Sequence, residues 1–216
     1  MVEYVFGANI LENLTTGMYQ DSRVIYREYI QNSCDQIDLA VSEGLLGKDE
    51  GQIQIWLDSE ERTITIKDNA TGISSSMFRQ VLGNIADSDK RIGENKGFRG
   101  IGRLCGLAYC RELVFRSSFK GESVESIMVC DAKTMRELIA ENNSKKKRYT
   151  ANDVLQEINS FTQKEAREED HYFTVELRGI NEENTALLDF HLVKDYLSFV
   201  APVPYQSTFI DRKSVV

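Results

Sequence analysis

"YREYIQNSCDQID", residues 26–38, carries Glu28, Asn32 and Asp35 at spacings that bring them to one side of a helix. At about 100° per residue the three polar side chains fall within roughly 60° of arc. Tyr26, Ile30, Ile37 and Val41 lie opposite and predict the face that packs on a core. Arg27, Gln31 and Asp38 border one flank, as on a solvated surface. Ile25 and Leu39 instead project among the triad, which suits the wall of a half-apolar cleft.

Around this helix the chain reads as α+β. Residues 9–19 and 22–43 have helical patterns, the second capped by Asp21 or Ser22. "GQIQIWLD" (51–58) and "RTITIKD" (62–68) alternate with period two about the turn "SEE", which predicts a strand hairpin. A short helix is expected over 74–86, then the polar, glycine-punctuated "DSDKRIGENKGFRGIG" (87–102), then helix over 101–110. "RELVFRSSF" (111–119) and "ESVESIMVCD" (122–131) read as strands. Helical patterns follow at 132–141 and 152–161, separated by the basic "SKKKR" (144–148), a solvated loop. "HYFTVELRG" (171–179) is a strand and "DFHLVKDYLSFVA" (189–201) a closing helix. Helices first, then a mainly antiparallel sheet with helices interleaved, predict a two-layer α/β sandwich. The regular βαβ alternation of a doubly wound fold is missing.

Composition narrows the function. The 216 residues suffice to bury a core, and the apolar and charged fractions are those of a globular protein. A formal charge of −8 argues against a general nucleic-acid or membrane-surface role. Four cysteines without CxxC spacing, and two isolated histidines (His171, His191), argue against a zinc site or a disulfide framework. With no membrane-length apolar run and no signal-peptide pattern, a cytoplasmic location is expected.

Two further segments carry candidate chemistry. Asp68 ends a predicted strand, with Gly72 four residues on. Gly97, Gly100 and Gly102 stand just ahead of a predicted helix, where glycine lets backbone approach a ligand and helix N–H groups face an anion. Neither a Walker loop nor a Rossmann fingerprint is present.

In their order the three segments resemble the motifs of the GHKL superfamily of ATP-binding domains, which includes gyrase B, heat-shock protein 90, histidine kinases and MutL. Glu28, Asn32 and Asp35 match its ExxxNxxDA helix, Asp68 to Gly72 its DxGxG, and Gly97, Gly100 and Gly102 its GxxGxG. "ILENLTTGMYQDSRVIYREYIQNSCDQID" and "LGNIADSDK" look most like heat-shock protein 90, whereas "GFRG" is closer to MutL.

The resemblance implies a Bergerat-type sandwich with a mixed, mostly antiparallel sheet and helices on one face. It implies ATP as ligand, Mg²⁺ as cofactor and slow hydrolysis that drives a conformational switch. Glu28 would orient or deprotonate the attacking water, and Asn32 would ligate Mg²⁺. Asp35 would orient Asn32 or ordered water. Asp68 would accept a hydrogen bond from the adenine amine, with Gly72 keeping backbone clear of the base. Gly97, Gly100 and Gly102 would hold phosphates, residues 83–99 forming a movable lid whose Lys90, Arg91, Lys96 and Arg99 could neutralise charge. The adenine-side threonine falls on Thr174, although strict spacing would place Phe173 there. Ala70 departs from the first glycine of DxGxG and could crowd the base.

Residues 1–216 would then be a single N-terminal ATP-binding domain from a longer chain, with ATP and ADP as ligands and client proteins as partners. Homodimerisation would run through regions outside it. Two alternatives stay open: a MutL-like DNA-associated ATPase clamp, and an interaction module that has lost hydrolysis.

Overall fold

The hairpin forms because Ile55 and Leu57 on β1 (Ile53–Asp58) and Ile64 and Ile66 on β2 (Thr63–Asp68) all bury on one side, leaving Gln54, Thr63 and Thr65 on the other. Arg62 turns the hairpin with φ +52°, held by bonds from its guanidinium to the Ile180 and Asn181 carbonyls (both 2.6 Å). The computed structural model describes residues 6–15, 21–83, 102–144 and 146–201. Within them the hairpin extends into a six-stranded sheet of order β1-β2-β6-β3-β4-β5. The further strands are β3 (Glu112–Ser118), β4 (Val124–Asp131), β5 (Asn159–Glu165) and β6 (Tyr172–Arg178). Every pairing among the described strands is antiparallel, so the parallel part of the expected mixed sheet is not found there.

One face of the sheet carries the core. Leu113, Phe115, Met128, Val175 and Leu177 join the hairpin residues beneath the helices. These are α1 (Asn9–Thr15), α2 (Val24–Ser42), α3 (Ser75–Gly83), α4 (Ala132–Asn143), α5 (Ala151–Ile158) and α6 (Phe190–Val200). The other face is a lattice of charges. Arg116 lies 3.4 Å from Glu125 and 3.6 Å from Glu176, while Arg178 lies 2.9 Å from Glu176 and 3.5 Å from Glu112. On that face Val114 and Ile127 are nonetheless buried.

Three local readings differ from the structure. The pattern at 152–161 breaks at Ile158, and residues 159–165 form the edge strand β5, with Phe161 opposite Met128. Pairing to β4 overrides a helical pattern that Phe161 alone prolonged; Phe161 meets Phe78 edge-on at 6.5 Å. The segment 102–108 is a 3₁₀ turn rather than an α-helix. Helix α2 begins at Val24, with Arg23 at its cap position and Asp21 accepting from Arg23 N–H (2.9 Å).

Candidate functional site

The buried arc of α2 is wider than its sequence pattern suggested. Ile25, Tyr26, Tyr29, Ile30, Ser33, Cys34, Asp35 and Ala40 are all buried. The expected pairing of Ile25 with Leu39 does not hold: Ile25 is fully buried, whereas Leu39 is 41% exposed. Taking Glu28 as zero, all of these but Asp35 fall between roughly 60° and 240°; Asp35 is buried apart from them at about 340°, and Leu39 lies between, at about 20°. The triad therefore lies along the border between core and solvent.

Across from α2, β2 delivers Asp68 to the sheet end. The residue is 2% exposed. Its Oδ2 accepts from Ser33 Oγ (2.8 Å) and its Oδ1 from the Ala70 N–H (3.1 Å). Burial pushes the carboxyl up to about 6, against the opposing pull of these two bonds, of the Phe173 backbone and of Lys67. Ser33 went unread in the sequence; its one signal is a hydroxyl inside an otherwise core-facing arc.

The loop after Asp68 is tethered at every residue. Asn69 accepts from Gln52 N–H (2.7 Å) and donates to Glu50 O (2.8 Å). Ala70 O accepts from His171 Nδ1 (2.9 Å), so that nitrogen carries the proton. The Thr71 hydroxyl lies 3.2 Å from Gln36 Oε1 and 3.0 Å from Gly72 O, and Ile73 N–H donates to Ser117 Oγ (2.6 Å). Ala70 is fully buried, and Arg62 is the one described non-glycine residue with positive φ, so the methyl adds no backbone strain.

Gly72 has φ +68°, and a Cβ there would collide with the Ser118 carbonyl. Its glycine is thus required by packing against β3, not only by clearance for a ligand. Gly72→Ala is expected to destabilise the domain by about 2–4 kcal/mol, combining left-handed strain with overpacking. Urea unfolding measures this; an unchanged midpoint would remove the packing argument.

The third motif meets the first through Gly102. This glycine opens the 3₁₀ turn against Glu28, and a Cβ on it would collide with Glu28 Oε2. Tyr29 fastens the same turn to α2: its hydroxyl donates to Arg103 O and accepts from Gly106 N–H, both at 3.0 Å. Burial raises the Glu28 carboxyl above its ordinary value, with Arg27 opposing. Asn32 is half-buried. Asp35 is buried and accepts from Gln31 Nε2 (3.1 Å). Gly97, Gly100 and the four lid cations lie outside the described residues, as does the expected lid apart from Gly83.

Thr174 is not brought to Asp68. It pairs with Lys67 and Arg116, so its side chain leaves on the charged face. Strand period two puts Phe173 directly opposite Asp68 instead, stacked on Phe115 with ring centroids 6.0 Å apart. Among the described residues no three His, Cys, Asp or Glu side chains cluster as a metal cage. The single neutral oxygen of Asn32 suits an ion that arrives with phosphate oxygens and keeps its waters. No helix among the described residues is long and apolar enough to cross a membrane.

Residues 21–167 match the family model described as histidine kinase-, DNA gyrase B- and HSP90-like ATPase. The chain is also similar to chaperone proteins HtpG. That of Coxiella burnetii is 34% identical over 88 residues, covering 38% of this chain and 14% of the relative. That of Psychrobacter arcticus is 27% identical over 137 residues, covering 55% and 21%. That of Methylorubrum populi is 32% identical over 108 residues, covering 44% and 17%. The matches therefore span between about a seventh and a fifth of those relatives' lengths.

Proposed function

Because the chain belongs to the histidine kinase-, DNA gyrase B- and HSP90-like ATPase family, we propose that it binds Mg²⁺-ATP between α2 and the 68–73 loop, and that slow hydrolysis drives a conformational switch of the HSP90-like chaperone type. The observation that carries this reading is Asp68: a carboxylate held at a strand end, deep in the core, with a donor on each oxygen. Burying such a group carries a stability cost, and a carboxylate perturbed in this way marks a functional-site candidate.

Asp68 accepts from the adenine 6-amino group and excludes guanine, whose oxygen at that position offers no proton. Phe173, not Thr174, is the β6 residue beside it. Asn32 supplies one oxygen to Mg²⁺, which when bound neutralises phosphate charge. Asp35, buried one turn on, holds the polar side of α2 in place. Gly97, Gly100 and Gly102 admit the phosphates. Glu28 orients a water and takes its proton as the water oxygen attacks the γ-phosphorus, releasing ADP and phosphate. Gly102 leaves the room that carboxylate occupies. Client proteins, homodimerisation and a cytoplasmic setting belong to the same reading.

Calorimetric titration with a non-hydrolysable ATP analogue, with and without Mg²⁺, tests it. Binding strengthened by Mg²⁺ is expected. A folded domain that takes up no nucleotide would overturn the proposal.

A further inference from the structure

Gln36 stands one turn beyond Asn32 on α2, at the position where the family pattern ExxxNxxDA has alanine. At about 100° per residue it falls between Asn32 and Ser33 around the helix, within the surface that faces the 68–73 loop. Ser33 is bonded to Asp68, and Gln36 to Thr71 three residues further along that loop. The two contacts run in parallel, so Gln36 borders the same end of the site as the Asp68 carboxylate.

The hydrogen-bond inventory of Gln36 is incomplete. The Thr71 hydroxyl has one proton, and both Gln36 Oε1 (3.2 Å) and Gly72 O (3.0 Å) are within its reach. If the proton goes to Gln36, both amide N–H donors are left over. If it goes to Gly72, the amide can turn and donate one N–H to Thr71 Oγ, leaving the other. Either way at least one N–H of a half-buried amide has no partner among the described residues.

We propose that Gln36 is a specificity-determining residue that donates this N–H to the ring nitrogen adjacent to the adenine amine. The inference rests on the nucleotide reading above. On the Watson–Crick edge adenine presents a donor, the 6-amino group, beside an acceptor, N1. Asp68 and Gln36 present the complementary acceptor and donor. Guanine reverses both groups and would be mismatched twice. The Gln36–Thr71 pair also fixes the amide's position before the base arrives, so little rotamer freedom is lost on binding.

The test uses ATP and 1-deaza-ATP, in which C–H replaces N1, titrated by calorimetry against wild type, Gln36→Ala and Gln36→Glu. Wild type is expected to prefer ATP by roughly tenfold, the scale of one neutral hydrogen bond with its partner left unpaired. Gln36→Ala is expected to bind both ligands alike, at about the affinity of wild type for 1-deaza-ATP. Such non-additivity is the signature of direct contact. Gln36→Glu keeps the length but sets an acceptor against N1, and is expected to abolish or invert the preference. If Gln36→Ala discriminates as strongly as wild type, Gln36 does not read the base. Equal binding of the two ligands by wild type would also overturn the assignment, while leaving ATP binding intact. Failure of wild type to bind ATP would instead overturn the nucleotide reading itself.

Discussion

Asp68→Asn is expected to leave the domain folded and to weaken binding of an ATP analogue at least a hundredfold. The asymmetry follows from what touches the carboxylate. Oδ1 accepts from a backbone N–H, which cannot reverse its role, so an amide oxygen must take that side. The new NH₂ then faces Ser33, whose hydroxyl can rotate and accept in place of donating. The Ala70 and Ser33 contacts both survive the isosteric exchange. The adenine amine, in contrast, would lose a charged acceptor and meet a second donor. Loss of a charge-assisted bond plus a buried donor left unpaired is worth about 3 kcal/mol or more, hence the factor of a hundred. Calorimetry beside a melting curve separates the two effects. A variant that bound as tightly as wild type would take the base away from Asp68.

The same substitution carries a pH signature. The folded carboxyl titrates at about 6 against an ordinary 3.8, so the folded state holds a proton through a window where the unfolded chain has lost it. Stability contributed by this group is therefore present at low pH and is lost as pH rises through that window, at a cost of about 3 kcal/mol above it. Asp68→Asn has no such titration. Its melting temperature should exceed that of wild type at pH 7.5, the gap closing towards pH 4. Nucleotide affinity of wild type should run the other way, falling below about pH 6 as protonation turns the charged acceptor into a weaker, neutral one. Opposite slopes for stability and binding at one side chain are what a ligand-serving carboxylate produces. A carboxylate buried only to brace the loop would change stability and leave affinity flat.

The parts of this molecule that were legible in the sequence are those set by local period. The hairpin at 51–68 alternates cleanly, and α2 repeats with helical spacing, so their elements and most of their faces could be read directly. What escaped reading depends on neighbours distant in the chain. Ser33 is one more small residue on α2 until β2 brings Asp68 to it from 35 positions away. Thr174 has the right chemistry, but its face is decided by register with β2 and β3, which puts it beside Lys67 and Arg116. Strand β5 was hidden because an edge strand with only Asn159 and Phe161 half-buried carries almost no alternation. The role of Gly102 needed the Glu28 side chain, 74 residues earlier, to give it meaning.

That last contact supports the second large effect. Glu28→Ala is expected to lower the rate of hydrolysis by about 10²–10⁴, the range of a positioned general base, while analogue affinity changes less than about threefold. The half-buried setting raises the carboxyl's proton affinity and so makes it a better base, with the Arg27 charge opposing that shift. Gly102→Ala then probes the same group without touching it. The added methyl would occupy the space of Oε2, and the end of a glutamate side chain can swing aside more cheaply than backbone can move. The fold should persist with Glu28 displaced, so turnover should fall with binding retained. Combining the two changes decides between positioning and coincidence. If Gly102 acts by leaving room for Glu28, Gly102→Ala costs nothing further once Glu28 is alanine. If the double variant loses as much as both single losses multiplied, Gly102 serves the phosphates alone. If Glu28→Ala abolishes binding along with turnover, the carboxylate belongs to the structure of the pocket and not to the water.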